Sequence, residues 1–352
     1  MKQFRHNVIR AGLEALYLTR AHHLLRPVFG GVGAIFMLHQ VRPRRDAEFQ
    51  PNHHLEITPD FLRATLSYLR GQNIDIVTLD EMHRRLVQRD FARRFACLTL
   101  DDGYRDNRDC ALPVLREFDA PATVFVTSDF ADGDGRMWWV ALERAVAQVS
   151  RIEAEIGGTA VRLDTDTPAA KQAAFDRLHD WLRGLPSEAD LRREISALCR
   201  RCGVDETSIC GELCLPWQEL QPFAADPLIS IGAHTVTHCN LAREVEKDAH
   251  HEMATSRARI EDVLQRPAVH FAYPYGDKAA AGPREFALAA ACGFKTGMTT
   301  RPGMIFPENA QHFTALPRVS LNGNYQDARF LPVLTSGAAT AMYNGFRRVD
   351  AA

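Results

Sequence analysis

No apolar run in this 352-residue sequence is long enough to cross a membrane. The longest stretches, such as GGVGAIFML at 30–38, fall far short of the roughly 20 residues that a spanning helix needs. The chain also lacks a dominant charge. Its formal net charge is −2, which gives no global reason to expect nucleic acid as a partner. Internal repeats and low-complexity tracts are missing too. The first residues, MKQFRHNVIRAGLEALYLTRAHHLLRPV, have no uninterrupted apolar core followed by a small-residue cleavage site, which is the pattern of a secretory signal peptide. A cytoplasmic protein is therefore expected. What remains is ordinary globular composition, 46% hydrophobic and 24% charged, enough for one large domain or two small ones.

Residues 1–30 read as an amphipathic helical segment. Phe4, Val8, Ile9, Leu13, Leu16 and Tyr17 recur at helical spacing, with Lys2, Arg5, Arg10 and Arg20 among them. Such a helix either docks on the body of the protein or makes peripheral contact with an anionic membrane surface. From residue 31 to about 330, strand-like and helix-like segments alternate. The strand candidates are 31–41, 74–79, 95–100, 121–128, 228–234, 269–276, 294–300 and 315–321. Repeated βα units with apolar strands predict an α/β fold whose parallel sheet is closed or nearly closed as a barrel. Residues 137–216 interrupt the alternation with charged, helix-patterned sequence, which predicts a helical insertion, either a lid or substrate-shaping wall or a passive packing layer. Residues 331–352 read as a C-terminal tail.

Cysteine occurs at eight positions, four of them close together as CRRC at 199–202 and CGELC at 210–214. A structural zinc site is one reading of that spacing. The other is a set of buried free thiols, since Cys199 and Cys202 close a helical run that Gly203 would stop.

The chemistry concentrates at strand ends. LTLDDGYRDN at 98–107 ends an apolar run on two adjacent carboxylates, Asp101 and Asp102, whose repulsion would raise one pKa unless a positive partner sits beside them. HTVTH at 234–238 follows the strand LISIGA and sets two histidines four residues apart, a spacing that one helical turn would put on one face. Two imidazoles and a carboxylate suit a catalytic divalent ion. His39 and Tyr275 stand at two further strand ends, the positions from which barrels build active sites.

LTLDDG, HTVTH and FAYPYG, in that order, resemble the three motifs of the polysaccharide deacetylase family, the NodB-like carbohydrate esterases. The resemblance spans about 31–321 without clearly covering the insertion. It implies a distorted (β/α) barrel of fewer than eight regular strands. It also implies hydrolysis of N-acetyl groups on an oligosaccharide containing N-acetylglucosamine or, given the expected cytoplasmic location, on a lipid-linked glycan precursor, with chitooligosaccharide deacetylase the closest named activity. Carried over position by position, Asp102, His234 and His238 would bind a divalent metal, Zn2+ foremost. Asp101 would be the general base toward water, and the Tyr275 N–H would help hold the oxyanion. The family's third motif usually carries an arginine where this chain has Ala272. Arg318, in LPRVSL, either supplies that guanidinium from across the barrel or is a surface arginine. No late Leu-x-His motif is present, so the general acid falls to His39 or His312, and His39 is the better placed. A carbohydrate partner is thus expected. The rival readings are hydrolysis of another C–N bond, iron-dependent oxygen chemistry and a non-catalytic glycan-binding module.

Overall fold

The computed structural model describes residues 2–350, the first four by backbone alone. Helices α1 (Lys2–Leu18) and α2 (Ala21–Phe29) precede a parallel barrel. Its strands are β1 (Gly33–Leu38), β2 (Phe95–Leu100), β3 (Ala122–Val126), β4 (Ile229–Ala233), β5 (His270–Ala272), β6 (Thr296–Pro302) and β7 (Leu316–Ser320). They pair in the ring order β1-β7-β6-β5-β4-β3-β2, and β2 returns to β1, so seven strands close the barrel. The expected strand at 74–79 is only the pair Asp75–Ile76, laid against the start of β2. Every residue of β1, β2 and β3 is buried, because side chains fill the barrel on one face and helices cover the other. Two of those covering helices are α3 (Pro59–Gly71), whose Thr58 cap accepts from the Phe61 N–H at 3.2 Å, and α4 (Leu79–Gln88).

Register places the site. Leu38 lies opposite Leu100, so His39 and Asp101 leave neighbouring strand ends together. Val126 lies opposite Ala233, which brings His234 out beside the end of β3. The sheet closes tightly here. A Cβ on Gly232 would stand 2.5 Å from the Phe125 ring and 2.8 Å from the His270 carbonyl oxygen.

The insertion contains α5 (Trp138–Gln148), α6 (Pro168–Gly184) and α7 (Glu188–Cys202), packed around a core of their own that includes Leu142, Phe175, Leu178 and Ile195. It is not all helical. Residues expected to continue the helix after Gln148 form an antiparallel hairpin, Arg151–Ile156 with Thr159–Asp164. Its turn is Gly157-Gly158, both left-handed, the backbone that a two-residue hairpin needs. Ile152 is buried while Arg151 and Glu153 face outward, a period of two that the helical reading missed.

Helices α8 (Glu246–Leu264) and α9 (Pro283–Ala291) cover the barrel, and residues 331–350, expected as a tail, instead carry α10 (Leu331–Thr335) and α11 (Ala338–Tyr343), which pack on α1 and α2. Leu13, Leu16, Phe330, Val333 and Ala338 form their shared buried cluster. Of the amphipathic pattern, the side chains of Lys2, Phe4 and Arg5 lie outside the described residues; Val8 points to solvent and Leu13 and Leu16 point inward. Phe330→Ala should lower unfolding stability by about 3–5 kcal/mol, the cost of emptying a buried aromatic site. Urea unfolding checks this; a loss below about 0.5 kcal/mol, typical of a surface position, would mean that the C-terminal helices do not dock.

Candidate active site

Beyond Leu100 the ladder runs one residue further, with the Asp101 N–H donating to the Leu38 carbonyl at 3.0 Å. Asp102 (φ 77°) and Gly103 (φ 71°) then turn through the left-handed region, so the two adjacent carboxylates leave the strand in different directions. Thr235, His238 and Tyr275 are left-handed as well. Four of the ten such non-glycine residues described therefore crowd this end of the barrel, at a cost of the order of 1–3 kcal/mol each. The two histidines consequently sit on a strained loop, not on the helical turn expected from their spacing. The loop is held by the Glu252 carboxylate, which accepts from the Val236 and Thr237 N–H groups at 2.8 and 2.9 Å.

Asp101 meets Arg318 head on. Nη1 donates to Oδ1 and Nη2 to Oδ2, each at 2.7 Å, with both side chains buried. The guanidinium also donates from Nε to the Thr299 carbonyl at 2.8 Å and from Nη1 to Thr99 Oγ1 at 3.2 Å. Arg318 is therefore no surface arginine; its guanidinium reaches Asp101 from across the barrel. Burial alone would push the Asp101 carboxyl up, but the guanidinium's charge outweighs it and holds the group below the ordinary carboxylate range.

Asp102 turns the other way. Its Oδ1 is 3.4 Å from His234 Nε2 and 3.3 Å from His238 Nε2, and the ligand atoms of the three residues lie within 4.8 Å of one another. His234 Nδ1 is 2.7 Å from the Ala272 carbonyl oxygen, which can only accept. Nδ1 thus carries the ring proton and Nε2 presents a lone pair. Asp102 Oδ1 is buried with no hydrogen-bond partner. Lone pairs converging on one point from a carboxylate and imidazole fit a divalent cation of zinc's type. Burial would raise the Asp102 carboxyl, yet the His234 and His238 rings hold it well below the usual range.

His39 Nε2 stands 4.0 Å from Asp101 Oδ2, and its side chain is 19% exposed. Burial lowers its pKa, against the pull of Asp101 and Asp102. Tyr275 is half-buried above the histidines, its ring 5.2 Å from that of His238. Its backbone N–H has no acceptor among the described residues.

The sequence profile of the polysaccharide deacetylase family matches residues 88–296, more than half of the chain. The chain belongs to the polysaccharide deacetylase family. Among solved structures it is similar to the Streptococcus pyogenes deacetylase PplD in complex with acetate, at 18% identity and a TM-score of 0.55, over 83% of this chain and 92% of that one. IcaB from Ammonifex degensii is similar at 16% identity and a TM-score of 0.53, over 88% and 98% of the two chains. BC0361, a polysaccharide deacetylase from Bacillus cereus, is similar at 14% identity and a TM-score of 0.52, over 82% of this chain and 65% of that one. At these identities the likeness concerns the fold, and the seven-strand barrel is the one they share. No curated protein matches. Family membership makes this polysaccharide deacetylase a hydrolase of the C–N bond of N-acetyl groups.

In this deacetylase the insertion is part of the site's wall. Trp139 packs its ring 4.8 Å from that of His238, and Trp138 Nε1 donates to the Tyr275 hydroxyl at 2.8 Å. The Arg183 guanidinium lies 3.9 Å over the Tyr275 ring. No sequence signal tied these residues to the site, because only the folded insertion brings them there. His312 is elsewhere: it is exposed and precedes β7, at the opposite end of the barrel from the carboxylates. Cys199, Cys202, Cys210 and Cys214 are buried free thiols in the insertion's apolar core, and the three-residue set above is the one metal-type cluster among the described residues.

Asp106 and Asn107 close the LTLDDGYRDN stretch and act on β1. Asn107 Nδ2 donates to the His39 carbonyl at 2.8 Å, and Asp106 Oδ1 accepts from the Val41 N–H at 3.1 Å, so together they fix the end of β1. Burial pushes the Asp106 carboxyl up to about 7, with the Val41 N–H pulling the other way. A raised carboxyl gives stability that is fully present below its unfolded value near 3.8 and is lost as pH rises through about 7. Asp106→Asn should therefore gain on the wild type by up to about 1.4 kcal/mol per pH unit between roughly pH 4 and 7. Urea midpoints at pH 5, 6 and 7.5 measure it; a constant difference would place the titration of Asp106 elsewhere. Arg318→Met should cost about 3–5 kcal/mol by stranding a buried carboxylate, and adding Asp101→Leu should recover much of that loss. A single variant no less stable than wild type contradicts the paired geometry.

Proposed function

We propose that the chain removes the acetyl group from an N-acetylglucosamine-type amino sugar, with zinc held by Asp102, His234 and His238. One observation carries this reading: two adjacent carboxylates are both kept ionised by separate partners, one facing imidazole lone pairs and the other clamped by a guanidinium. A divalent cation at the first would polarise the acetamide carbonyl and make water easier to deprotonate. Asp101 accepts the proton of the attacking water, and Arg318 fixes its carboxylate in position for that transfer. The water oxygen bonds to the acetyl carbon, and the Tyr275 N–H meets the negative charge that builds on the carbonyl oxygen. The C–N bond then breaks. His39, beside Asp101 and partly open to solvent, relays the proton that Asp101 took from water on to the leaving nitrogen, so Asp101 returns to its carboxylate form and a free amine and acetate depart. Tyr275, half-buried and backed by the buried Trp138 and Trp139, gives a sugar ring an apolar edge to lie against.

The test is acetate release from N-acetylchitooligosaccharides before and after removal of metal by a chelator. Release should stop when metal is removed and return on adding zinc. Undiminished release from metal-free protein would overturn the reading. His39→Gln should lower kcat by about 10²–10⁴-fold at unchanged metal content; a kcat within a factor of two would pass the role of acid to another group.

A further inference from the structure

A cavity of about 890 Å³ opens at the same end of the barrel as the carboxylates. Its inner rim is formed by Thr300, Arg318, Ser320 and Asn322, at the ends of β6 and β7. Arg318 borders the cavity too, although its side chain is fully buried against Asp101 on the inner side of the strand. Asp277 and Lys278, directly after Tyr275 and Gly276, border the cavity as well. The outer wall is different in chemistry. α1 contributes Val8, Ile9, Leu13 and Leu16, and the C-terminal helices contribute Leu334 and Met342. A sugar buried against such a wall would leave its hydroxyls without partners, whereas a hydrocarbon chain loses nothing there.

A second feature lies on the same terminal elements. Nine large hydrophobic side chains are exposed among the described residues, and seven of them lie on α1, α2 and the segment after residue 341. Leu18 is 74% exposed and Leu24 82%. Apolar surface concentrated on the elements that wall an apolar cavity marks a contact site, and a lipid is a partner that fits both. The two features lie on terminal helices that pack outside the barrel ring itself.

We propose that this cavity takes the hydrocarbon chain of a lipid-linked N-acetylated amino sugar, while the sugar's acetamide lies at Asp101 and Asp102. The proposal rests on the deacetylase reading above and adds the substrate class. Polar groups at the rim, Thr300, Ser320 and Asn322, meet the linkage between sugar and chain; the wall of α1 meets the chain.

Gly12 provides the test. It lines the cavity, and a Cβ built on it has nothing within 4 Å, so a large side chain fits on the helix and fills the space. Acetate release is measured for N-acetylglucosamine and for its hexyl, dodecyl and hexadecyl glycosides, alongside direct binding of each by calorimetry. kcat/KM should climb with chain length, by up to about fourfold per methylene fully buried. In Gly12→Phe the ratio of dodecyl to unsubstituted substrate should collapse toward one. Gly12→Ala, checked like Gly12→Phe for an unchanged unfolding midpoint, should keep that ratio. A flat series in wild type, with acetate still released, overturns the lipid proposal and leaves the deacetylase reading standing. Chain-length-dependent binding that Gly12→Phe abolishes, without acetate release from any substrate, supports the cavity and overturns the deacetylase reading. Failure of the dodecyl and hexadecyl glycosides to bind overturns the cavity's assignment to a lipid chain and leaves it to a protein segment.

Discussion

A guanidinium and a carboxylate, both stripped of water inside a closed barrel, set the conditions for everything else at this site. Desolvating each ion costs several kcal/mol, and only excellent geometry offsets that. Arg318 and Asp101 meet the requirement with two parallel 2.7 Å hydrogen bonds, and Thr299 and Thr99 take further guanidinium donors. The consequence reaches the next residue. With its charge balanced by Arg318, Asp101 no longer repels Asp102 strongly enough to force one of them to bind a proton. Two adjacent carboxylates can then hold different jobs.

The division of labour depends on backbone geometry as much as on charge. A left-handed Asp102–Gly103 turn splits the pair, and left-handed Thr235 and His238 carry the imidazoles to meet Asp102. Such strain persists only where the surroundings overdetermine it. Here the strand register, the Glu252 clamp on the histidine loop and the Ala272 carbonyl behind His234 all do so. The insertion adds Trp138, Trp139 and Arg183 around Tyr275, which makes it a wall of the site, and the terminal helices close an apolar cavity against the same rim.

The parts legible in the sequence were those in which a strand and its own following turn carry the chemistry. Asp101, Asp102, His234, His238 and Tyr275 all leave strand ends within a few residues of an apolar run, so local pattern located them. Arg318 is 217 residues from Asp101, and only ring closure brings β7 and β2 within reach of one another. The sequence therefore left open whether it was a surface residue. The histidine pair was misread as helical because spacing of four residues cannot report a left-handed loop. The hairpin after Gln148 was missed because short apolar alternation resembles a helix face until the Gly-Gly turn is weighed. Residues 331–350 looked like a tail because the apolar faces they cover belong to α1 and α2, at the other end of the chain.

The central claim is that the two aspartates have separate roles, and zinc content measured alongside acetate release tests it most directly. Asp101→Asn and Asp102→Asn are compared with the wild type after zinc loading and removal of excess metal. The account predicts that Asp101→Asn keeps one zinc per chain and releases no acetate above background, while Asp102→Asn loses the zinc and the activity together. Stoichiometric zinc in Asp102→Asn, or sustained turnover by Asp101→Asn, would contradict it.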